Sequence, residues 1–231
     1  MAMSTAERAR VESLRGAESK AATLFEEALR RGFVVAGVTE QDVSDRIRDL
    51  ADEMYGIRRF WHKRIVRAGR NTMAPYRENP PNLTIAANDI VFIDFGPVFQ
   101  EWEADFGRTY VLGDDPARHR LAADLPRLWN AGRDRFREQP DITGEQLYRY
   151  VLDRIADSGW EHPETHTGHL VGEFPHERID GEQRASYITD GNTSPLRRTA
   201  PSGQACHWIL EIHIVNPARG FGGFHEQLLD I

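Results

Sequence analysis

The fold is decided by residues 89–113, which read DIVFIDFGPVFQEWEADFGRTYVLG. The run 89–94 is short, apolar and rich in β-branched and aromatic residues, which is typical of a buried strand. A Gly-Pro pair at 96–97 interrupts this run, and residues 110–112 predict a returning strand that closes at Gly113. The stretch is therefore predicted to fold back on itself as a β-hairpin.

Asp94 and Asp105 lie on the two arms of this hairpin. A turn centred on Phe99 and Gln100 allows the two aspartates to lie directly opposite each other. Two carboxylates at that distance repel, which raises one pKa unless a cation lies between them. Two independent surface acids are the alternative, but Asp94 ends an apolar run, where an unpaired ionised carboxylate is costly to bury.

Apolar residues at spacings of three and four predict four helices around the hairpin. The predicted helices are Thr5–Arg31, residues 39–56 opened by a capping signal at Thr39, Pro116–Arg137, which Pro126 should kink or divide, and residues 143–159. Strands are predicted over Phe60–Arg70 and Trp208–Val215, and a surface loop over Ile188–Arg198. Helices first, then strands mixed with further helices, indicate an α+β fold.

Composition excludes several classes of protein. The chain has 231 residues, 29 Lys and Arg against 36 Asp and Glu, and a formal charge of −7. Its length and 40% hydrophobic content suit a globular protein, and the single cysteine, Cys206, excludes a disulfide framework. The chain contains no apolar run long enough to predict a membrane-spanning helix. Its net negative charge does not favour binding to the phosphates of nucleic acids. The N-terminus also lacks the apolar segment of a signal peptide, so we expect a cytoplasmic protein without membrane or nucleic-acid partners.

Further acids and histidines follow in glycine-rich or apolar segments. His169 and His176 lie in the sequence GHLVGEFPHE, Glu211 lies in the predicted strand, and Glu226 follows the run GFGGFH. Four acids and an imidazole in such places have one common physical explanation. Two divalent cations would neutralise four carboxylates and allow all of them to be buried.

A zinc site on a single helix is a second way to use the histidines. His162, His166 and His169 have a spacing that one helix face could present. Pro163 and Gly168 interrupt such a helix, so this alternative is disfavoured.

The order of these residues resembles the pita-bread metallopeptidase family. The pattern is Asp94, ten residues, Asp105, then Gly-His-x-x-Gly-x-x-x-His-Glu, a Glu in a strand, and a late Glu, and the resemblance extends over residues 37–231. That family includes methionine aminopeptidases, Xaa-Pro aminopeptidases, prolidases and non-peptidase relatives such as creatinase. The resemblance implies a curved antiparallel sheet covered by helices, with residues 36–231 as the metal-binding catalytic domain and residues 1–35 as an N-terminal helical extension.

The resemblance also implies a role for each site residue. The metal ligands would be Asp94, Asp105, His169, Glu211 and Glu226, holding two divalent ions from among Mn, Fe, Co and Zn, with Asp105 and Glu226 as bridges. Glu211 would act as the proton acceptor, and His176 would bond the substrate carbonyl or stabilise the oxyanion. A homodimer is a further expectation from the family.

Two positions depart from the family pattern around the substrate. Tyr76 stands where peptidases of the family carry a histidine before the first ligand, and Gly107 replaces the usual threonine after the second. His213 lies two residues beyond Glu211 on the same strand face, so it either reaches the substrate or is a structural histidine.

Three functions follow as hypotheses. The first is a metal-dependent hydrolase that cleaves short peptides near a free N-terminus, including Xaa-Pro bonds. The second is a non-peptidase enzyme, whether hydrolase, lyase or oxidative, that uses the same metal cage on a small metabolite, such as an anionic one. Tyr76, Gly107 and the arginine-rich strand predicted over Phe60–Arg70 favour it. The third is a metal-free binding module, which the retention of all five ligand positions argues against.

Overall fold

Four α-helices and nine β-strands are formed by the residues that the computed structural model describes, which are 4–175, 184–200 and 203–229. The helices are α1 (Thr5–Arg30), α2 (Glu40–Tyr55), α3 (Pro116–Glu138) and α4 (Gly144–Asp157). The strands are β1 (Ile65–Ala68), β2 (Ile90–Phe95), β3 (Val98–Phe99), β4 (Trp102–Glu103), β5 (Phe106–Val111), β6 (His166–Val171), β7 (Tyr187–Thr189), β8 (His207–Asn216) and β9 (Phe221–Leu228). Short 3-10 helices cover Gly69–Met73 and Arg184–Ser186. The α+β prediction is confirmed.

Capping residues begin two of the helices where the sequence predicts them. Thr39 and Asp42 form a reciprocal capping box at the start of α2, and Thr143 and Gln146 form the same arrangement at the start of α4. Gly56 ends α2 with a φ of 67°, a left-handed conformation that glycine adopts without steric cost. These helix boundaries therefore follow from local sequence.

Seven strands form one sheet in the order β1-β2-β5-β9-β8-β6-β7, and β3 pairs with β4 in a separate hairpin. The strand pairs are antiparallel, so alternate residues face opposite sides of the sheet. On β2, Val91, Ile93 and Phe95 pack in one core cluster with α1 and α2, whereas Phe92 and Asp94 line a cavity on the other face. The helices thus cover one face of the sheet, and the opposite face is left for the site.

Strand β8 also has one face packed against helices, here α3 and α4, and the other face on the cavity. Trp208, Leu210 and Ile212 pack in a core cluster with residues of α3 and α4, whereas Glu211 and His213 line the cavity. The predicted strand over Trp208–Val215 is confirmed with one additional residue at each end.

The hairpin turns one residue later than a direct pairing of the two aspartates requires. Phe99 pairs with Trp102, so the turn consists of Gln100 and Glu101, with Gln100 in the left-handed region at a φ of 60°. The same register continues into the main sheet, where Asp94 lies opposite residue 107. The prediction that Asp94 faces Asp105 directly across the hairpin is therefore wrong.

The strand predicted over Phe60–Arg70 is shorter than expected. Phe60 forms an isolated bridge with Pro97, and the chain bends at residues 61–62 before it joins the sheet at Ile65. Arg70 already lies in the following 3-10 helix. Only Ile65–Ala68 pair with β2, so the strand is limited to these residues.

Helix α3 is not divided by its internal proline. Leu121 and Leu125 before Pro126, and Leu128 and Trp129 after it, are buried in the same core cluster. Packing of both halves against one sheet outweighs the local cost of about 3 kcal/mol for a proline in a helix interior.

The segment Ile188–Arg198 is not a surface loop throughout. Ile188 lies in β7, and both Ile188 and Leu196 are fully buried in the core cluster under α3 and α4. Asn192 is buried between them and donates from Nδ2 to the Tyr187 carbonyl at 2.7 Å. Two apolar anchors and a satisfied amide therefore hold this segment against the core.

Helix α1 packs on the sheet through Phe25. The Phe25 ring meets the rings of Phe95 and Phe106 edge-on, at centroid distances of 6.0 Å and 5.3 Å. The division into residues 1–35 and 36–231 stays a prediction. Within the described part of the chain, no helix combines the length and apolar character needed to cross a membrane.

Glu40 ties the start of α2 to the segments around β1. Its buried carboxylate accepts hydrogen bonds from Ala68 N at 2.6 Å, Leu83 N at 3.0 Å and Asn71 Nδ2 at 2.9 Å. Each of these donors is buried or half-buried. Removal of the carboxylate would take the acceptor from the two backbone N–H groups and would leave Asn71 Nδ2 with the Pro81 carbonyl alone.

We expect Glu40→Ala to lower the free energy of unfolding by about 2–4 kcal/mol, because it leaves two backbone N–H groups without an acceptor. Urea unfolding monitored by circular dichroism measures this change. The control is Glu145→Ala, which removes a first-turn glutamate of α4 whose recorded partner is Arg149 and should cost less than about 1 kcal/mol. Equal stabilities of the two variants would contradict the role given to Glu40.

Candidate metal centre

The site is built on one transverse row of the sheet. Glu211 on β8 lies opposite Glu226 on β9, which lies opposite Gly107 on β5. Gly107 in turn lies opposite Asp94 on β2, and Asp94 opposite Ile65 on β1. Directly opposed residues of an antiparallel sheet share a face. Three predicted ligands are therefore aligned on the cavity face by strand register.

Gly107 leaves the middle of this row without a side chain. A Cβ atom at this position would lie 2.5 Å from the Phe224 ring and 3.1 Å from Glu226 Cβ. No side chain fits there without displacing Phe224, so a threonine, which the family resemblance leads us to expect at this position, would clash with the aromatic ring. Asp94 and Glu226 consequently flank a position without a side chain.

Asp105 directly precedes β5 and lies between two imidazoles. Its Oδ2 atom is 3.1 Å from His169 Nε2, and its Oδ1 atom is 3.1 Å from His62 Nε2. His62 Nε2 is also 3.6 Å from Asp94 Oδ1, and His169 Nε2 is 4.0 Å from Glu226 Oε1. Asp105 is therefore the centre of the cluster, although it does not belong to the transverse row.

All four acids are buried, none being more than 8% exposed. Among the atoms of the described residues, Asp94 Oδ1 and Glu226 Oε2 are inaccessible to solvent and have no hydrogen-bond partner. Glu211 Oε1 is equally inaccessible, but His166 Nδ1 lies 2.5 Å from it. Buried carboxylate oxygens without donors are costly unless a cation compensates them. These three atoms face a shared cavity, so the acids fit a site for cations.

Burial and mutual repulsion move the pKa values of these acids apart. Burial and the charge of Asp105 raise the pKa of Asp94 to about 7, although His62 opposes the rise. Burial and the charges of Asp105 and Asp94 also raise the pKa of Glu226 well above its usual range. Burial acts the same way on Asp105, but His62 and His169 outweigh it and hold its pKa far below the usual range. The metal-free cluster therefore retains protons on some acids to limit its negative charge.

Two overlapping groups of donor atoms fit a metal ion. His62, Asp94 and Asp105 offer ligand atoms within 4.8 Å of one another, and so do Asp105, His169 and Glu226. The groups share Asp105, whose two oxygens point to different imidazoles. Imidazole and carboxylate donors together suit first-row divalent ions such as Zn²⁺, Fe²⁺, Co²⁺ and Mn²⁺.

The structure brings together the five residues predicted as ligands. Asp94, Glu226 and Glu211 share the row, and Asp105 and His169 approach it from the end of β5 and from β6. Their role as ligands stays a prediction. The alternative of a zinc site on one helix, which the sequence disfavoured, is excluded because His166 and His169 lie in strand β6.

Sequence reasoning missed three residues at this site. His62 lies in an irregular segment before β1, where no periodicity indicates its direction. His166 begins β6, with Nδ1 only 2.5 Å from Glu211 Oε1. Glu164 accepts a hydrogen bond from the Tyr76 backbone N–H and lines the cavity. The grouping of histidines from His162 onward was the only available signal for His166.

The predicted substrate residues have different outcomes. Tyr76 is 41% exposed and lines the cavity, with its ring 6.2 Å from that of His62. His213 also lines the cavity, but its Nε2 donates to the Thr72 carbonyl at 2.8 Å, so it is a satisfied buried histidine as well. His176 lies outside the described residues.

A cavity of about 900 Å³ opens over the carboxylate row. This volume lies within the range of roughly 300–1,000 Å³ that small-molecule sites occupy. Its walls include the aromatic rings of Trp61, Tyr76, Phe92, Phe174 and Phe224. The exposed residues Arg77 and Arg184 also border it. The cavity thus combines an acidic floor, apolar walls and basic side chains at its edge.

Known proteins similar to this chain share the fold and the family. An Xaa-Pro dipeptidase of Lactobacillus helveticus is 26% identical over 170 residues, which cover 72% of this chain and 45% of that protein. The crystal structure of a dipeptidase from Mycobacterium ulcerans matches 99% of this chain and 56% of its own length, with 26% identity and a TM-score of 0.74. A dipeptidase structure from Pyrococcus horikoshii has 21% identity and a TM-score of 0.76, over 100% of this chain and 62% of its own.

These similarities confirm the pita-bread fold. They also show that the chain spans about half the length of the relatives it matches. The sequence model of Metallopeptidase family M24 matches residues 12–214. Because this match extends over most of the chain, the protein belongs to metallopeptidase family M24.

Proposed function

We propose that this chain carries the catalytic centre of a metal-dependent hydrolase that cleaves Xaa-Pro dipeptides or short peptides near a free N-terminus. The observation that carries the proposal is the cluster of four buried carboxylates on the cavity floor, in which Asp94 and Glu226 each have a buried oxygen without a hydrogen-bond partner among the described residues. Relatives named as Xaa-Pro dipeptidases support the choice of substrate class.

We further propose a dinuclear centre. Asp94 would complete the shell of one ion, His169 and Glu211 that of the other, and Asp105 and Glu226 would bridge the two. The two oxygens of Asp105, each 3.1 Å from a different imidazole, support its bridging role. Bound divalent ions of this kind supply a water whose pKa is lowered from 15.7 towards about 7.

Glu211 is the proposed proton acceptor. It takes a proton as the water oxygen adds to the peptide carbonyl, and it returns a proton to the amine as the C–N bond breaks. His166 Nδ1 lies 2.5 Å from Glu211 Oε1, which supports a role for His166 in holding this carboxylate in position. His176 is proposed to bond the substrate carbonyl.

The cavity walls suit a small peptide with an apolar residue. Aromatic rings such as those of Phe92 and Phe224 can pack against a proline ring, and Tyr76 borders the same space. Arg77 and Arg184 at the edge can attract the carboxylate of a dipeptide. His213 is proposed to contact the substrate from the wall. A homodimer and a cytoplasmic location stay predictions.

Metal loading gives the first test. We expect the chelator-stripped protein to bind close to two equivalents of Mn²⁺, Co²⁺, Fe²⁺ or Zn²⁺, and to unfold at a higher temperature once loaded, because the ions bind only the folded site. Elemental analysis and calorimetry measure both quantities. Asp105→Asn should prevent loading at both positions, whereas Asp114→Asn, which changes an exposed acid beyond β5, should leave loading unchanged. Less than one equivalent of every metal in the wild-type protein would refute the metal centre.

A substrate panel gives the second test. The loaded protein should hydrolyse Xaa-Pro dipeptides faster than matched Ala- and Met-peptides, and Asp105→Asn should abolish this activity while Asp114→Asn retains it. Release of free proline, followed by chromatography, measures the rate. A loaded protein that cleaves none of the peptides would refute the peptidase proposal. It would then favour the second hypothesis, a small anionic metabolite, for which the arginines at the cavity edge provide a reason.

A further inference from the structure

His62 occupies a place at the metal centre that the five-residue ligand set does not use. Its side chain is only 6% exposed, and its Nε2 atom lies 3.1 Å from Asp105 Oδ1 and 3.6 Å from Asp94 Oδ1. His169 stands in the same relation to the other oxygen of Asp105, also at 3.1 Å. The two imidazoles therefore flank Asp105 on opposite sides.

The two rings are oriented by the same device. His62 Nδ1 lies 2.7 Å from the carbonyl oxygen of Lys63, and His169 Nδ1 lies 2.8 Å from that of Leu170. A carbonyl oxygen only accepts, so Nδ1 carries a proton in each ring. Nε2 also carries a proton, which it donates to Asp105 at 3.1 Å and would release on binding an ion. Each Nε2 is left to face the carboxylates. A hydrogen bond that fixes the far nitrogen in this way is the usual support of a histidine that ligates a metal.

The His62 ring is also held firmly in place. A Cβ atom at position 96 would lie 2.2 Å from His62 Cδ2, so the ring is seated directly on Gly96. The indole of Trp61 packs edge-on against the ring, with 4.6 Å between the ring centroids. The indole is itself fixed by a hydrogen bond that it donates to the Ala104 carbonyl. This packing directs Nε2 at the two aspartates rather than at solvent.

The distances fit atoms that share one ion. Ligand atoms about 2.1 Å from a metal lie about 3.0 Å apart at a right angle and about 3.4 Å apart at a tetrahedral angle. The separations of 3.1 Å and 3.6 Å from Nε2 are close to this range, and Asp94 Oδ1 is buried without a hydrogen-bond partner among the described residues.

We propose that His62 is a sixth protein ligand, which binds through Nε2 to the ion held by Asp94 and Asp105. The inference rests on the proposed metal centre and adds an imidazole to the ion that otherwise has only carboxylates. Each ion then has one histidine, His62 or His169, on either side of Asp105. A nitrogen donor at the first ion favours Zn²⁺, Fe²⁺ or Co²⁺ over Mn²⁺ there.

Proton NMR of the Co²⁺-loaded wild-type protein tests this without any mutation. Each ligated imidazole keeps its Nδ1 proton, which is strongly shifted by the nearby Co²⁺ and disappears in D₂O. We expect two such signals. A single signal from a protein that binds two equivalents of Co²⁺ would overturn the proposal and leave the metal centre intact, with His62 as a counter-ion of the metal-free acids. A protein that binds no Co²⁺ would instead refute the metal centre itself.

Variants then assign the second signal. His62→Ala should remove one of the two signals and weaken one of the two binding equivalents by at least about tenfold in calorimetric titration, since even indirect support of a ligand is worth about 10–100-fold. His62→Gln should have the same effect and retains a polar side chain beside the aspartates if the alanine variant does not fold. The control is His225→Ala, which removes an imidazole on the other face of β9 beside Trp129. Unchanged binding in both His62 variants would contradict the proposal.

Discussion

The burial of four carboxylates around one point is the constraint on which the rest of this structure depends. Charges of one sign in a buried site are unstable unless cations or protons compensate them. Two imidazoles meet part of this requirement. His62 and His169 flank Asp105, and the raised pKa values of Asp94 and Glu226 show that the remaining charge is not compensated by protein groups alone.

The sheet converts this constraint into a defined geometry. Strand register aligns Asp94, Glu226 and Glu211 on one face, and the helices pack against the other face, so that the positions of these three acids do not depend on connecting segments. Gly107 keeps the middle of the row open because Phe224 occupies the space of its side chain. A site supported by paired strands holds its donors in place before any ion arrives, which reduces the cost of binding.

The helices and the α+β class could be predicted from sequence, because they depend on periodicity and capping. The motif order identified five residues that the structure places together, and their role as ligands stays a prediction. The register of the hairpin and the course of the connecting segments could not be predicted from sequence. The turn lies at Gln100 and Glu101, one residue later than expected, and no local pattern indicates this shift. Ile188 and Leu196 are buried in the core although their segment has the composition of a loop. His62 was missed because its direction is set by contacts with Gly96 and Trp61, which the sheet brings to it.

The floor and the walls of the cavity differ in how they are specified. The floor acids lie on or directly beside paired strands, so the motif that identifies the family also determines their positions. Much of the wall comes from connecting segments, such as those of Tyr76 and Glu164, whose course depends on contacts between distant parts of the chain. The two departures from the family pattern concern this wall. Tyr76 is part of it, and Gly107 lies beside Phe224, whose aromatic ring forms another part. Membership of the family therefore constrains the chemistry of the floor strongly, whereas we expect the residues in which this chain departs from the family pattern to influence the choice of substrate.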